Sequence, residues 1–75
     1  MLGPNPFDAI LVVELPEGMV FPIDMIVRDA AKQIMLNDRI FTTKKIINTV
    51  SLTSGLYHIE LINERGLIFD GHFRK

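Results

Sequence analysis

The stretch SLTSGLYHIELINERGLIFDGHFRK, residues 51–75, decides how the rest of the chain is read. It holds two alternating runs and one turn. Over residues 56–62, Tyr57, Ile59 and Leu61 share a face, with His58 and Glu60 between them. Over residues 67–75, Leu67, Phe69 and Phe73 share a face, and Asp70, His72 and Arg74 take the other. A period of two marks strands with one buried side. Asn63-Glu64-Arg65-Gly66 lies between the runs. Asn favours the first position of a type I turn, and Gly66 at the fourth tolerates the positive φ of a G1 bulge. With Asn63 opposite Leu67, the turn sets Leu61 against Phe69, Ile59 against Gly71 and Tyr57 against Phe73. Every apolar residue of the pair then falls on one side, and a slip of one residue would send Phe69 and Phe73 to the polar face. Gly71 leaves space opposite Ile59 or marks a bend.

Upstream, Thr53-Ser54-Gly55 turns the chain into this hairpin from a strand expected over residues 46–52, with Val50 and Leu52 inward. Residues 42–45 read as a polar loop. Ile34 and Leu36 mark a further strand running towards Phe41. A short helix over residues 29–36 competes with it, since Ala, Lys, Gln, Met and Leu favour helix. The hairpin is preferred because a helix there leaves neighbouring strands unpaired. Asp29 closes the strand before it, and its carboxylate can accept from amides two or three residues on, over Ala30-Ala31-Lys32. In that strand Phe21, Ile23, Met25 and Val27 alternate with Pro22, Asp24, Ile26 and Arg28. Pro22 predicts either an edge strand or a strand start.

Pro16-Glu17-Gly18 is a turn. Before it, residues 9–15 form a strand with Leu11, Val13 and Leu15 on one face. Ile10 and Val12 lie on the other, so this strand is either covered on both sides or presents a sticky patch. Gly3-Pro4-Asn5-Pro6-Phe7 is excluded from helix: two prolines fix φ, remove two donors and hold their neighbours extended, making an elbow into the first strand. There is no internal repeat and no low-complexity linker. Six or seven short strands with turn residues between them predict an all-β chain, a small antiparallel Ig-like β-sandwich of one domain over residues 1–75.

A chain of 75 residues is near the lower limit for an independent core, so modest stability or help from a partner is expected. Net charge is −1 with no clustered Lys and Arg, which argues against a nucleic-acid surface; Lys44-Lys45 reads as solvated loop. The absence of cysteine excludes disulfides and thiolate metal sites. The longest apolar run, residues 9–13, is too short to span a bilayer, and no signal peptide is legible.

No Ser-His-Asp order with a nucleophile elbow, no phosphate-binding Gly loop and no thiol is present, so a non-enzymatic domain without a cofactor is expected. The expected register places His58 opposite His72 and Glu60 opposite Asp70 on the outer face. That set has the donor chemistry for zinc, although an ordinary polar sheet face accounts for it as well. Ile10, Val12, Ile26, Ile62 and Ile68 fall on faces expected to be outward. Together they suit an apolar patch covered by a homodimer or another partner, as in an Ig-like binding or assembly module.

Residues from both ends of the chain carry a family likeness. Pro4-Asn5-Pro6-Phe7, Val27-Arg28-Asp29, Val50-Ser51-Leu52-Thr53-Ser54-Gly55-Leu56-Tyr57 and Phe73-Arg74-Lys75 occur in an order and spacing that resemble the C-terminal sorting domain of the type IX secretion system of Bacteroidota. The likeness covers nearly the whole length and rests on the ordered set rather than on any one motif. Two departures stand out: Lys32 sits where the family usually has Gly, three residues after the Asp, and His72 stands where a basic residue often precedes the final motif.

The resemblance implies an Ig-like domain at the end of a larger exported protein. It implies recognition by an outer-membrane translocon and removal by a surface sortase, with no catalysis of its own. The cargo and its signal peptide would lie upstream. The attached protein would cross the periplasm and end at the cell surface or outside the cell. Arg74 and Lys75, with Phe73, are the residues expected to be recognised, on an exposed strand edge with a free tail. Pro4, Asn5, Pro6, Asp29, Gly55, Tyr57 and Gly66 are expected to hold shape.

Overall fold

Strands form wherever the alternation places one apolar row against another. A computed structural model of the chain describes residues 2–4 and 10–75. The strands are β1 (Leu2–Pro4), β2 (Ile10–Glu14), β3 (Ile23–Arg28), β4 (Ile34–Ile40), β5 (Lys44–Asn48), β6 (Leu56–Asn63) and β7 (Gly66–Arg74). They make a three-stranded sheet, β1-β2-β5, and a four-stranded sheet, β4-β3-β6-β7. Every pairing is antiparallel, and among the described residues there is no helix. The expected all-β antiparallel sandwich is therefore the fold. Pro4 ends β1, which pairs with β2, while Asn5, Pro6 and the rest of the expected proline elbow lie outside the described residues.

The core lies between the sheets. Leu11 and Val13 of β2 and Ile47 of β5 come from one side. From the other come Ile23, Met25 and Val27 of β3, Ile40 of β4, Tyr57, Ile59 and Leu61 of β6, and Phe73 of β7. Each large apolar side chain taken fully from water contributes about 1.5–3 kcal/mol. β3 is internal, flanked by β4 and β6, so Pro22 marks a strand start and not an edge.

The β3–β4 connection is the hairpin, not the competing helix. Asp29 Oδ1 accepts from the amides of Ala31 and Gln33, both at 2.9 Å. Asp29 also exchanges backbone bonds: its amide donates to Gln33 O and its carbonyl accepts from Lys32 N, each at 3.0 Å. Lys32 has a φ of 69°, the left-handed region that favours glycine.

Three sequence expectations need correction. β5 starts at Lys44, inside the expected loop, and stops at Asn48. Asn48 Oδ1 accepts from Val50 N at 2.9 Å and begins a turn that breaks the alternation. Val50 is consequently 68% exposed, while Thr49 and Leu52 face inward.

The second correction is at the closing hairpin. Glu64-Arg65 forms a two-residue turn, with Arg65 N donating to Asn63 Oδ1 at 2.8 Å and Gly66 at a φ of 103°. Asn63 faces Gly66 rather than Leu67. The ladder then shifts by one between Leu61 and Ile62, after which Leu61 faces Phe69, Ile59 faces Gly71 and Tyr57 faces Phe73 as expected. The bulge absorbs Ile68. That residue packs against the core and Leu67, now opposite Ile62, is 56% exposed, while Phe69 keeps its place opposite buried Leu61 at the sheet edge and is 36% exposed.

The third concerns the expected patch. Ile10 and Val12 alternate with buried Leu11 and Val13 on β2, whereas Ile26 and Ile62 alternate with buried neighbours on β3 and β6. They therefore lie on the outer faces of different sheets, and with Ile68 turned inward the five do not make one surface.

The Lys32 backbone carries a testable cost. Lys32→Gly removes the Cβ crowding of the left-handed conformation. It should raise stability by about 1 kcal/mol, seen as a rise in Tm of about 4 °C in a thermal melt. An unchanged or lower Tm would show that residue 32 holds no strain.

Candidate functional site: the closing ribbon

β6 and β7 carry most of the residues that the sequence singled out. Among the described residues β7 is the longest strand, at nine residues, and pairs on one side, with β6. The SGLY segment builds the end of this ribbon. Gly55 exchanges two backbone bonds with Lys75, Gly55 N to Lys75 O at 3.1 Å and Lys75 N to Gly55 O at 2.9 Å. Tyr57 lies directly opposite Phe73, with ring centroids 5.6 Å apart and planes 21° from parallel. Its hydroxyl donates to Thr53 O at 2.6 Å, so a large ring is buried without stranding its polar tip.

The tail is not free. The Lys75 ammonium donates to both Thr49 O and Leu52 O, two carbonyls of the turn that leaves β5. Neither carbonyl lies in a strand ladder, and the ammonium supplies donors there. Phe73 is 8% exposed, part of the core rather than a contact surface. Of the three terminal residues expected to meet a partner, Arg74 alone presents an exposed side chain, beside the open edge of β7.

The outer face of the four-stranded sheet is polar. Its register places His58 opposite His72 and Glu60 opposite Asp70, as the sequence predicted. Arg28, across from His58 on the other side, donates through Nε to Glu60 Oε1 at 2.9 Å and through Nη1 to Lys32 O at 3.2 Å. Further along, Arg39 Nε donates to Asp24 Oδ1 at 3.0 Å. His58 Nε2 is 3.6 Å from Asp70 Oδ2, too far for a hydrogen bond, and the two imidazole centroids are 4.7 Å apart. Arg28, Lys32, Leu56, His58 and His72 line a groove of about 440 Å³ that the β3–β4 turn helps to wall.

The four-residue zinc set does not assemble. Among the described residues no three His, Cys, Asp or Glu side chains are placed to hold a metal ion together. Glu60, which lines the groove with both imidazoles, is already engaged by Arg28 at 2.9 Å. Two features carry no signal in the sequence: the seating of Lys75, which depends on a turn 23 and 26 residues upstream, and the groove, which depends on how the β3–β4 turn folds over the sheet.

Comparison with protein-family models, with curated proteins and with solved structures found no match.

Lys75→Met keeps the aliphatic stem and removes the donors. It should lower stability by about 1–2 kcal/mol, because Thr49 O and Leu52 O then lose a charged partner. Arg74→Ala, at an exposed position, should change it by less than about 0.5 kcal/mol. Chemical denaturation of the two variants side by side checks the contrast. Equal losses would show that the ammonium is not seated.

Proposed function

We propose that this domain is a non-catalytic C-terminal sorting signal that directs an attached protein through an outer-membrane translocon to the cell surface or exterior. The observation that carries the reading is the open edge of the closing ribbon. A long edge strand is paired with β6, and among the described residues its other side, with the exposed Arg74 next to it, is left for a partner. Unpaired strand amides and carbonyls give a partner strand its hydrogen bonds, and side chains beside them give selectivity.

The motif residues support the reading through the local jobs they do. Asp29 caps a turn in which residue 32 takes the backbone conformation of a glycine, and glycine is the residue the sorting domains usually have there. Gly55 and Tyr57 close the ribbon onto the last residue of the chain. The proposed partners are translocon and sortase proteins, with the cargo attached upstream. Recognition is assigned to Arg74 and the β7 edge, with Phe73 and Lys75 acting through the shape they fix.

A reporter carrying a signal peptide and this domain at its C-terminus, expressed in a type IX secreting bacterium, tests the proposal. The fused reporter should reach the medium or the surface, and deletion of residues 73–75 should hold it in the periplasm. Arg74→Glu separates recognition from folding: it should leave the melt unchanged and still retain the reporter inside. Export that survives both changes would remove the reading.

A second reading, an Ig-like assembly module, has one specific observation in its favour. Val12 and Ile46 face each other across β2 and β5 on the outer side of the three-stranded sheet, and Ile46 is 57% exposed. In that case Ile46→Lys should convert a dimer to a monomer in sedimentation. A wild-type chain that already sediments as a monomer would dismiss the self-association.

A further inference from the structure

The cross-strand imidazole pair on the outer face has a chemistry that the sorting reading does not use. His58 and His72 are direct partners in the β6–β7 ladder, and their ring centroids lie 4.7 Å apart at a tilt of 31°. We propose that His58 and His72 form a two-imidazole site for a divalent ion of the copper, nickel and zinc class, with water in the remaining positions.

The ladder performs the step that is otherwise costly, bringing two ligands together. Residues directly opposite in an antiparallel pair have Cβ atoms about 5 Å apart, and here the backbone holds them so before any ion arrives. Two imidazole nitrogens bound to one ion at about 2 Å each stand about 3 Å from one another. Rings whose centroids are already 4.7 Å apart reach that spacing by turning about χ2, a broad torsion in histidine. His72 is exposed and has room to turn, and the groove that both rings line admits the ion and its waters.

The surrounding charges permit a dication. Of the two cations that line the groove, Arg28 and the exposed Lys32, Arg28 is already matched by Glu60 at 2.9 Å. Asp70 stands 3.6 Å from His58 Nε2 with no hydrogen bond to it, and its charge favours a cation beside that ring. Imidazole suits copper, nickel and zinc, while magnesium and calcium prefer oxygen ligands, so the latter pair should not bind here. A site of two protein ligands is open, and the ion held there keeps positions for a further donor.

Nickel, copper and zinc chlorides added to the purified domain test this. An ion that binds the folded chain and not the unfolded one raises Tm, here by about 4 °C or more at millimolar metal, while magnesium does nothing. In the zinc titration both histidine ring resonances should shift together. His58→Gln and His72→Gln should each abolish the rise in Tm. No response to any of the three ions, a response of one ring alone, or a rise that persists in both variants would overturn the proposal. Because the ring titration is read on the unaltered protein, the outcome does not depend on how well the variants fold.

Discussion

The fold depends on how its two sheets are joined at the end of the closing ribbon. A chain of 75 residues without cysteine has no covalent staple, and its core is small. β5 belongs to one sheet and β6 and β7 to the other, so residues 49–55 must cross between them. Crossing segments leave the ladder and expose backbone carbonyls near the core, where a missing partner is expensive. Lys75 meets that need by donating to Leu52 O and, beside the Leu52 amide, to Thr49 O, while Tyr57 donates to a third carbonyl, Thr53 O. Leu52 fills the space beneath the turn. The last residue is thus part of the closure of the sandwich.

The rims of the sandwich obey a related constraint. Edge strands invite pairing with other chains, and charge or irregularity discourages it. β4 meets the constraint with Asn37, Asp38 and Arg39 in sequence, all exposed. Asp38 is opposite Met25 and Lys45 is opposite Val13, so both stand on the core-facing side of their strands. They meet at 3.4 Å across the gap between the sheets, where two edges would otherwise expose apolar surface. β7 meets it with the bulge at Ile68 and with Asp70 and Gly71. Its C-terminal portion, past the bulge, pairs regularly with β6 as far as Arg74 opposite Leu56. The two outer edges of the four-stranded sheet are thus unlike, and the regular one carries the chain terminus.

What the sequence made legible divides along the same line. Alternation alone located Leu11, Val13, Ile23, Met25, Val27, Tyr57, Ile59, Leu61 and Phe73 in the core, because in-strand burial follows a period of two. The Asp29 turn was legible because its bonds are local. Expectations failed where a local feature changes parity. The Asn48 turn reversed Val50, and the bulge set Ile68 against the core and turned Leu67 outward, since one extra residue inverts the side chains between it and the turn. The seat of Lys75 and the groove were out of reach because both join segments far apart in sequence, and no periodicity encodes such contacts. The outer-face pairs fell between these cases. Register gave the opposition of His58 to His72 and Glu60 to Asp70, but Arg28, which pairs with Glu60, comes from another strand.

The position of Lys75 changes what a partner at this terminus would meet. A frayed tail could be read as a peptide whether or not the domain behind it had folded. Here the final backbone bonds to Gly55 and the ammonium bonds to Thr49 and Leu52 exist only when the turn, the ribbon and the sheets are in place. Arg74 and the open side of β7 acquire a fixed relation to each other in the same event. Any receptor that needs both would therefore discriminate folded from unfolded domain, and by linkage its binding would stabilise the closure. Under the sorting reading, export competence and folding are one equilibrium rather than two. The modest stability expected of so small a core then makes that coupling strong, because a loss of about 1–2 kcal/mol at the seat is a large share of the total.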